Sequence, residues 1–191
     1  MPDVNELIAK IKDKDDKVRC AAWVGAGDFG AGAVKPLADV MEDPDAEVRR
    51  AAKNALYTIV RRAGRPGADA ERKAVEAELC GLLGPERPSA VRRELLWMLS
   101  EIGGDDAVLA MRRIPGLRET RDLWEDVRCT IQRIGGDAAV AALKKALETA
   151  PEDYRPALAS SLRALGTEVP GVPDHKLVPT KPTSVKPIAL R

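Results

Sequence analysis

The chain has 191 residues, 45% of them hydrophobic but only 3% aromatic, with 31 Lys+Arg against 30 Asp+Glu for a formal net charge of +1. This length fits one domain, and the balanced charge excludes a strongly basic nucleic-acid module and a strongly acidic tail protein. No apolar run approaches the roughly 18 residues needed to cross a membrane, so a membrane span is excluded too.

The aromatic shortage is offset by 29 Ala and 19 Leu, side chains that suit close helix packing, so the core is predicted to be helical and thin. Along the chain the apolar pattern Val4-x-x-Leu7-x-x-x-Ile11 comes first, then a thirteen-residue unit from Val18 to Gly30. Val34-x-x-Leu37-x-x-x-Met41 then precedes a unit from Val48 to Val60 with the same spacing. Arg61 to Gly67 lengthens the next connection, and the looser Ala74 to Leu79 precedes Val91 to Gly103. Val108-x-x-Met111 precedes Leu123 to Gly135, and Val140-x-x-Leu143-x-x-x-Leu147 precedes Tyr154 to Gly166. The units start 30, 43, 32 and 31 residues apart, which marks an internal repeat.

Within each unit apolar residues fall at the first, fifth, ninth and twelfth places, one face of an α-helix. Gly30, Gly103, Gly135 and Gly166 follow the twelfth place in four units and are read as left-handed terminators. Asp15, Asp45, Asp105 and Asp137 stand where N-caps are needed. The prediction is all-α: an α-solenoid of about five antiparallel helix pairs over residues 1–166, followed by a Pro/Lys-rich extended tail over 167–191.

The strings Glu47-Val48-Arg49-Arg50-Ala51-Ala52, Ile102-Gly103-Gly104-Asp105-Asp106-Ala107-Val108 and Ile134-Gly135-Gly136-Asp137-Ala138-Ala139-Val140 resemble HEAT-like repeats of the phycobilisome-lyase type, in the armadillo-like superfamily. The resemblance covers roughly residues 3 to 166. It implies a right-handed superhelix whose Val-Arg helices line the concave side. It also implies that Arg19, Arg49, Arg92 and Arg155 bridge to acidic residues of the neighbouring repeat as structural groups. Gly25-Ala26-Gly27 thins the first repeat, and Trp124 takes the arginine slot of the fourth.

The third, seventh and eleventh places of each unit form an outward stripe. The stripes read Cys20, Val24, Asp28; Arg50, Asn54, Thr58; Arg93, Trp97, Glu101; Glu125, Cys129, Arg133; and Pro156, Ser160, Ala164. From these, Arg50, Asn54, Arg93, Trp97, Glu101, Glu125, Cys129 and Arg133 are the candidate partner-binding residues. Trp97 sits among arginines at the centre, either as a binding anchor or as a cover over a gap between helices. Trp23 is expected to face the core, with Trp124 beside it.

Charge on these stripes sums to zero, and the two positions before each helix leave the face slightly acidic. A nucleic-acid groove needs several uncompensated cations, so HEAT-like DNA repair, faintly suggested by Trp97 with Glu94 or Glu101, ranks below the other readings. Catalysis has little to build on. His175 is the lone histidine and lies in the tail, Asp13-Lys14-Asp15-Asp16 lacks the glycine and closing glutamate of a calcium loop, and Gly25 to Gly30 lacks the Lys-Ser/Thr of a phosphate loop. Cys20, Cys80 and Cys129 show no CxxC spacing, and Met1-Pro2-Asp3 starts no signal peptide, which together predict a cytoplasmic protein.

The tail carries Pro170, Pro173, Pro179, Pro182 and Pro187 with Lys176, Lys181, Lys186 and Arg191. It is either a free polyproline-like segment or one that docks on the last repeat or in the groove. The expected function is a non-enzymatic scaffold or adaptor that binds another protein or an extended peptide, with no cofactor and no metal. A lyase or chaperone-like subunit acting on a cofactor-bearing protein is the alternative that the resemblance implies.

Overall fold

A computed structural model describes residues 3–113 and 121–173, and the described residues contain ten α-helices and two 3-10 segments with no strand. The helices are α1 (Val4–Ile11), α2 (Asp16–Val24), α3 (Val34–Val40), α4 (Ala46–Ala63), α5 (Asp69–Gly81), α6 (Ser89–Ile102), α7 (Asp105–Met111), α8 (Trp124–Ile134), α9 (Gly136–Thr149) and α10 (Arg155–Ala164). Odd helices pack on the even helix that follows, giving five pairs. Odd helices also stack on one another, as do even helices, so the protein is a two-layer α-solenoid.

The repeat periodicity sets the core. The ninth-place residues Ala26, Leu56, Leu99, Ile131 and Leu162 are all buried, and Ala26, Leu56 and Leu99 are fully so. First helices contribute Leu7, Ile11, Leu37, Leu79, Met111 and Leu143 from the facing layer. Alanines such as Ala52, Ala55 and Ala107 let the layers approach.

Local details depart from the sequence reading in four places. The first unit is not one helix: α2 stops at Val24, and Gly25–Ala33 continues as a 3-10 segment with Gly30 at φ 58°. Glycines disfavour the α-helix, and here they allow close packing, since a Cβ on Gly27 would lie 2.8 Å from Cδ of Arg62 on α4. Asp15 and Asp45 are N-caps that accept from the amides of Lys17 and Glu47 at 2.8 Å. Asp105 and Asp137 are not caps: Gly104 and Gly135 hold those positions, and the aspartates sit in the first turn, where their charge still favours the helix dipole.

Gly135 and Gly166 are left-handed at φ 71° and 77°, but Gly103 is extended, at φ −65° and ψ 150°. It is needed for space, because a Cβ there would lie 2.6 Å from the Leu99 carbonyl oxygen. Finally, the Val-Arg arginines do not reach for acids of the next repeat. Arg19 Nη1 donates to the carbonyls of Asp13 and Lys14 at 2.6 and 3.0 Å, and Arg49 Nη1 to those of Asp43 and Pro44 at 2.7 and 2.8 Å. Arg155 does the same with Leu147 at 3.1 Å. Arg19 and Arg49 clamp the turn inside their own helix pair, Arg155 ties α10 to the last turn of α9, and Arg92 makes neither contact.

Candidate binding face

The even helices α2, α4, α6, α8 and α10 lie side by side, and their outward stripes share one face. None of the fifteen stripe residues is buried. Arg50, Arg93, Trp97, Glu101, Glu125 and Arg133 are exposed, while Asn54 and Cys129 are half-buried. Trp97 is 47% exposed although its neighbours Leu96 and Met98 are fully buried, so α6 completes its core without the indole.

Side chains from three helices converge around Trp97. The Arg133 guanidinium of α8 stacks over the indole with its carbon 4.5 Å from the ring centroid. Arg93 crosses from α6 to α8, donating through Nε to Asp126 at 2.9 Å and through Nη2 to the Asp122 carbonyl at 3.2 Å. On the opposite side Lys53 and the Tyr57 hydroxyl of α4 donate to Glu94 at 3.2 and 3.3 Å. Burial first, and then the Glu94 carboxylate, push the Tyr57 pKa upward, so the hydroxyl stays a donor. These ties hold the surroundings of Trp97 in place from both flanks.

Arg50 pairs with Glu47, and with Asn54 and Cys20 it lines a groove of about 340 Å³ between α2 and α4. Trp23 forms a wall of this groove. It is half-buried, packing against the core and also lining the groove. Trp124 is half-buried against Tyr154, ring centroids 5.1 Å apart, with Arg121 over its face at 5.3 Å. Glu125 is gripped by Arg128, whose hydrogen bond holds the carboxyl pKa below its usual value against the effect of burial. Burial raises the Cys129 thiol pKa, with Glu125 adding to it and Arg128 opposing, so Cys129 is not an activated thiolate.

Three features were not visible from the sequence. Glu76 of α5 is 4% exposed, and its Oε1 accepts from the amides of Gly104 and Ala107 at 3.0 and 2.9 Å, capping α7 from the preceding repeat. Arg87, in the α5–α6 turn, is buried and donates to Asp39 and Glu42 at 2.6 and 2.9 Å. A cavity of about 350 Å³ opens between α8, α9 and α10, walled by Val127, Ile131, Leu143, Ala146, Tyr154 and Leu158. α9, which forms one wall of it, has 14 residues against 7 in α7.

Among the described residues no group of His, Cys, Asp and Glu is arranged to hold a metal ion, and no helix is long and apolar enough to cross a membrane. The tail beyond Pro173, with His175 and the segment expected either to dock or to stay free, lies outside the described residues. Just before it, Arg163 donates to the Val169 carbonyl at 2.9 Å and also to that of Val172.

Residues 4–70 match the family described as HEAT repeats. No curated protein matches the chain. Among solved structures it is similar to an engineered protein at 21% identity, covering 86% of this chain and 80% of that one with a TM-score of 0.45. It is also similar to a designed armadillo repeat protein in complex with the peptide (KR)4, at 18% identity, 85% and 81% coverage and a TM-score of 0.45. A further designed armadillo repeat protein matches at 14% identity, 85% and 100% coverage and a TM-score of 0.31.

Proposed function

We propose that the chain, whose residues 4–70 match HEAT repeats, works as a scaffold or adaptor that binds another protein, or an extended peptide segment, on the exposed face of its even helices. The observation that carries this reading is Trp97: a large indole left in water by a helix whose core is already complete, with the Arg133 guanidinium stacked over it. Tryptophan and arginine at the centre of a polar face have the composition of a binding hot spot. Burying the rest of the ring against a partner supplies affinity, while Arg50, Arg93, Glu101 and Glu125 around it set orientation and register.

Electrostatics support a protein partner over nucleic acid. Arg50 is engaged by Glu47 and Arg93 by Asp126, and the stripes carry no net positive charge, so the face lacks the several uncompensated cations that phosphates need. We place the protein in the cytoplasm and assign it no catalytic step. The test is affinity purification from the native host with mass spectrometry, comparing wild type with Trp97→Ala. Proteins that come down with wild type and are lost with the variant support the proposal. An unchanged set of captured proteins overturns it, and co-purified tetrapyrrole absorbance would replace it with the lyase reading.

A further inference from the structure

Arg19, Arg49 and Arg92 hold the same place, the fourth residue of α2, α4 and α6. The first two end on carbonyls of the turn before their helix. Arg92 does not. The turn before α6 is rebuilt around Pro85 and Pro88, and the arginine within it, Arg87, is drawn away to Asp39 and Glu42 of the second repeat. Arg92 is only 4% exposed, yet its Nε and Nη1 are buried without a hydrogen-bond partner, and Nη2 reaches Ser89 Oγ at 3.5 Å.

A buried guanidinium without a counter-charge is strongly unfavourable, so the group calls for an anionic or polar partner. Its neighbourhood is suited to one. Ser89 is the first residue of the 14-residue helix α6, and the N-cap Pro88 offers no side-chain hydrogen bond. The amides of Val91 and Arg92 turn back to the Pro88 carbonyl at 3.0 and 3.1 Å. Those of Ser89 and Ala90 stand at the helix start, where no intrahelical acceptor exists and the dipole is positive. A cation, a hydroxyl and a helix N-terminus therefore meet beside a half-buried serine and an exposed alanine, which give the way in.

We propose that this is a binding site for a small inorganic oxyanion, phosphate or sulfate, held by Arg92, Ser89 Oγ and the first amides of α6. The site is separate from the Trp97 face, and its occupancy locks the α5–α6 turn on which Arg87 depends.

The test is thermal melting of the full chain in increasing sodium phosphate or sulfate, against sodium chloride at equal ionic strength. A saturable rise in Tm of about 3 °C or more with phosphate, absent with chloride, is the expected result. Arg49→Gln keeps that rise, Ser89→Ala reduces it and Arg92→Gln abolishes it. If Arg92→Gln does not fold, Ser89→Ala and broadening of the phosphate ³¹P resonance by the wild-type protein decide. An equal rise in chloride, a rise that persists in Arg92→Gln, or no broadening would overturn the site and leave buried water as the partner of Arg92.

Discussion

Replacing Glu76 by alanine tests whether one repeat is capped by the carboxylate of the repeat before it. In the folded protein Oε1 of Glu76 serves two amides at once, Gly104 at 3.0 Å and Ala107 at 2.9 Å. Ala107 is fully buried and Gly104 half-buried, so without the carboxylate the first amide is stranded and the second turns to water. A stranded buried donor costs about 1–3 kcal/mol, and loss of a negative charge at a helix N-terminus adds roughly 0.3–1 kcal/mol. Removing a buried carboxylate offsets a part of this, so Glu76→Ala should destabilise by about 2–3 kcal/mol. In a chain of this length that lowers Tm by roughly 5–10 °C. Glu76→Gln keeps an oxygen in place and should cost less than half as much. Urea unfolding followed by circular dichroism at 222 nm gives both values, and amide exchange at Ala107 localises them. Equal losses for alanine and glutamine, or a loss under about 0.5 kcal/mol for alanine, would refute the capping role.

Three further outcomes follow from the geometry. With a thiol reagent near pH 8, Cys20, which is exposed, should react fast, while Cys80, its pKa pushed up to about 12 by burial and then by Glu76 and Asp106, and Cys129 should react slowly; two fast thiols would contradict this. Burial raises the Asp39 pKa, but hydrogen bonds from Arg87 and Lys35 outweigh it and leave the value lowered. Its stabilising effect is therefore present above the ordinary carboxylate value and lost as pH falls below about 4, so Asp39→Asn should flatten the acid limb of a Tm against pH curve, modestly because the side chain is half-exposed. Gly135 sits at φ 71° and ψ −162°, a region essentially confined to glycine, so Gly135→Ala should lower stability by roughly 1–3 kcal/mol in urea, and a neutral result would place the α8–α9 junction elsewhere.

The architecture was legible because burial repeats. Val48, Ala52, Leu56 and Ile59 recur one repeat on as Val91, Leu95, Leu99 and Ile102, and that spacing alone separates the buried from the exposed side of each even helix. For the same reason the exposure of Trp97 could be read from its place in the unit. Contacts between repeats were hidden, since they join residues far apart in sequence. Glu76 finds Gly104, Arg87 finds Asp39 and Arg133 finds Trp97 only after the helices stack. The aspartate pattern misplaces two caps because Gly104 and Gly135 take the turn themselves, leaving Asp105 and Asp137 inside the helix. The repeated arginines read as structural from their recurrence, but Arg19, Arg49 and Arg155 take backbone carbonyls as acceptors, which no side-chain pattern announces.

The central claim is that a partner sits on the Trp97 face. It is tested most directly by placing a photoreactive benzoylphenylalanine at position 97 and, separately, at position 109. Leu109 is also an exposed apolar residue, 40% accessible, but it belongs to α7 in the other layer. On irradiation in native-host extract, a discrete protein adduct from position 97 and none from position 109 is the predicted result. No adduct from position 97, or the same adducts from both, would contradict the account.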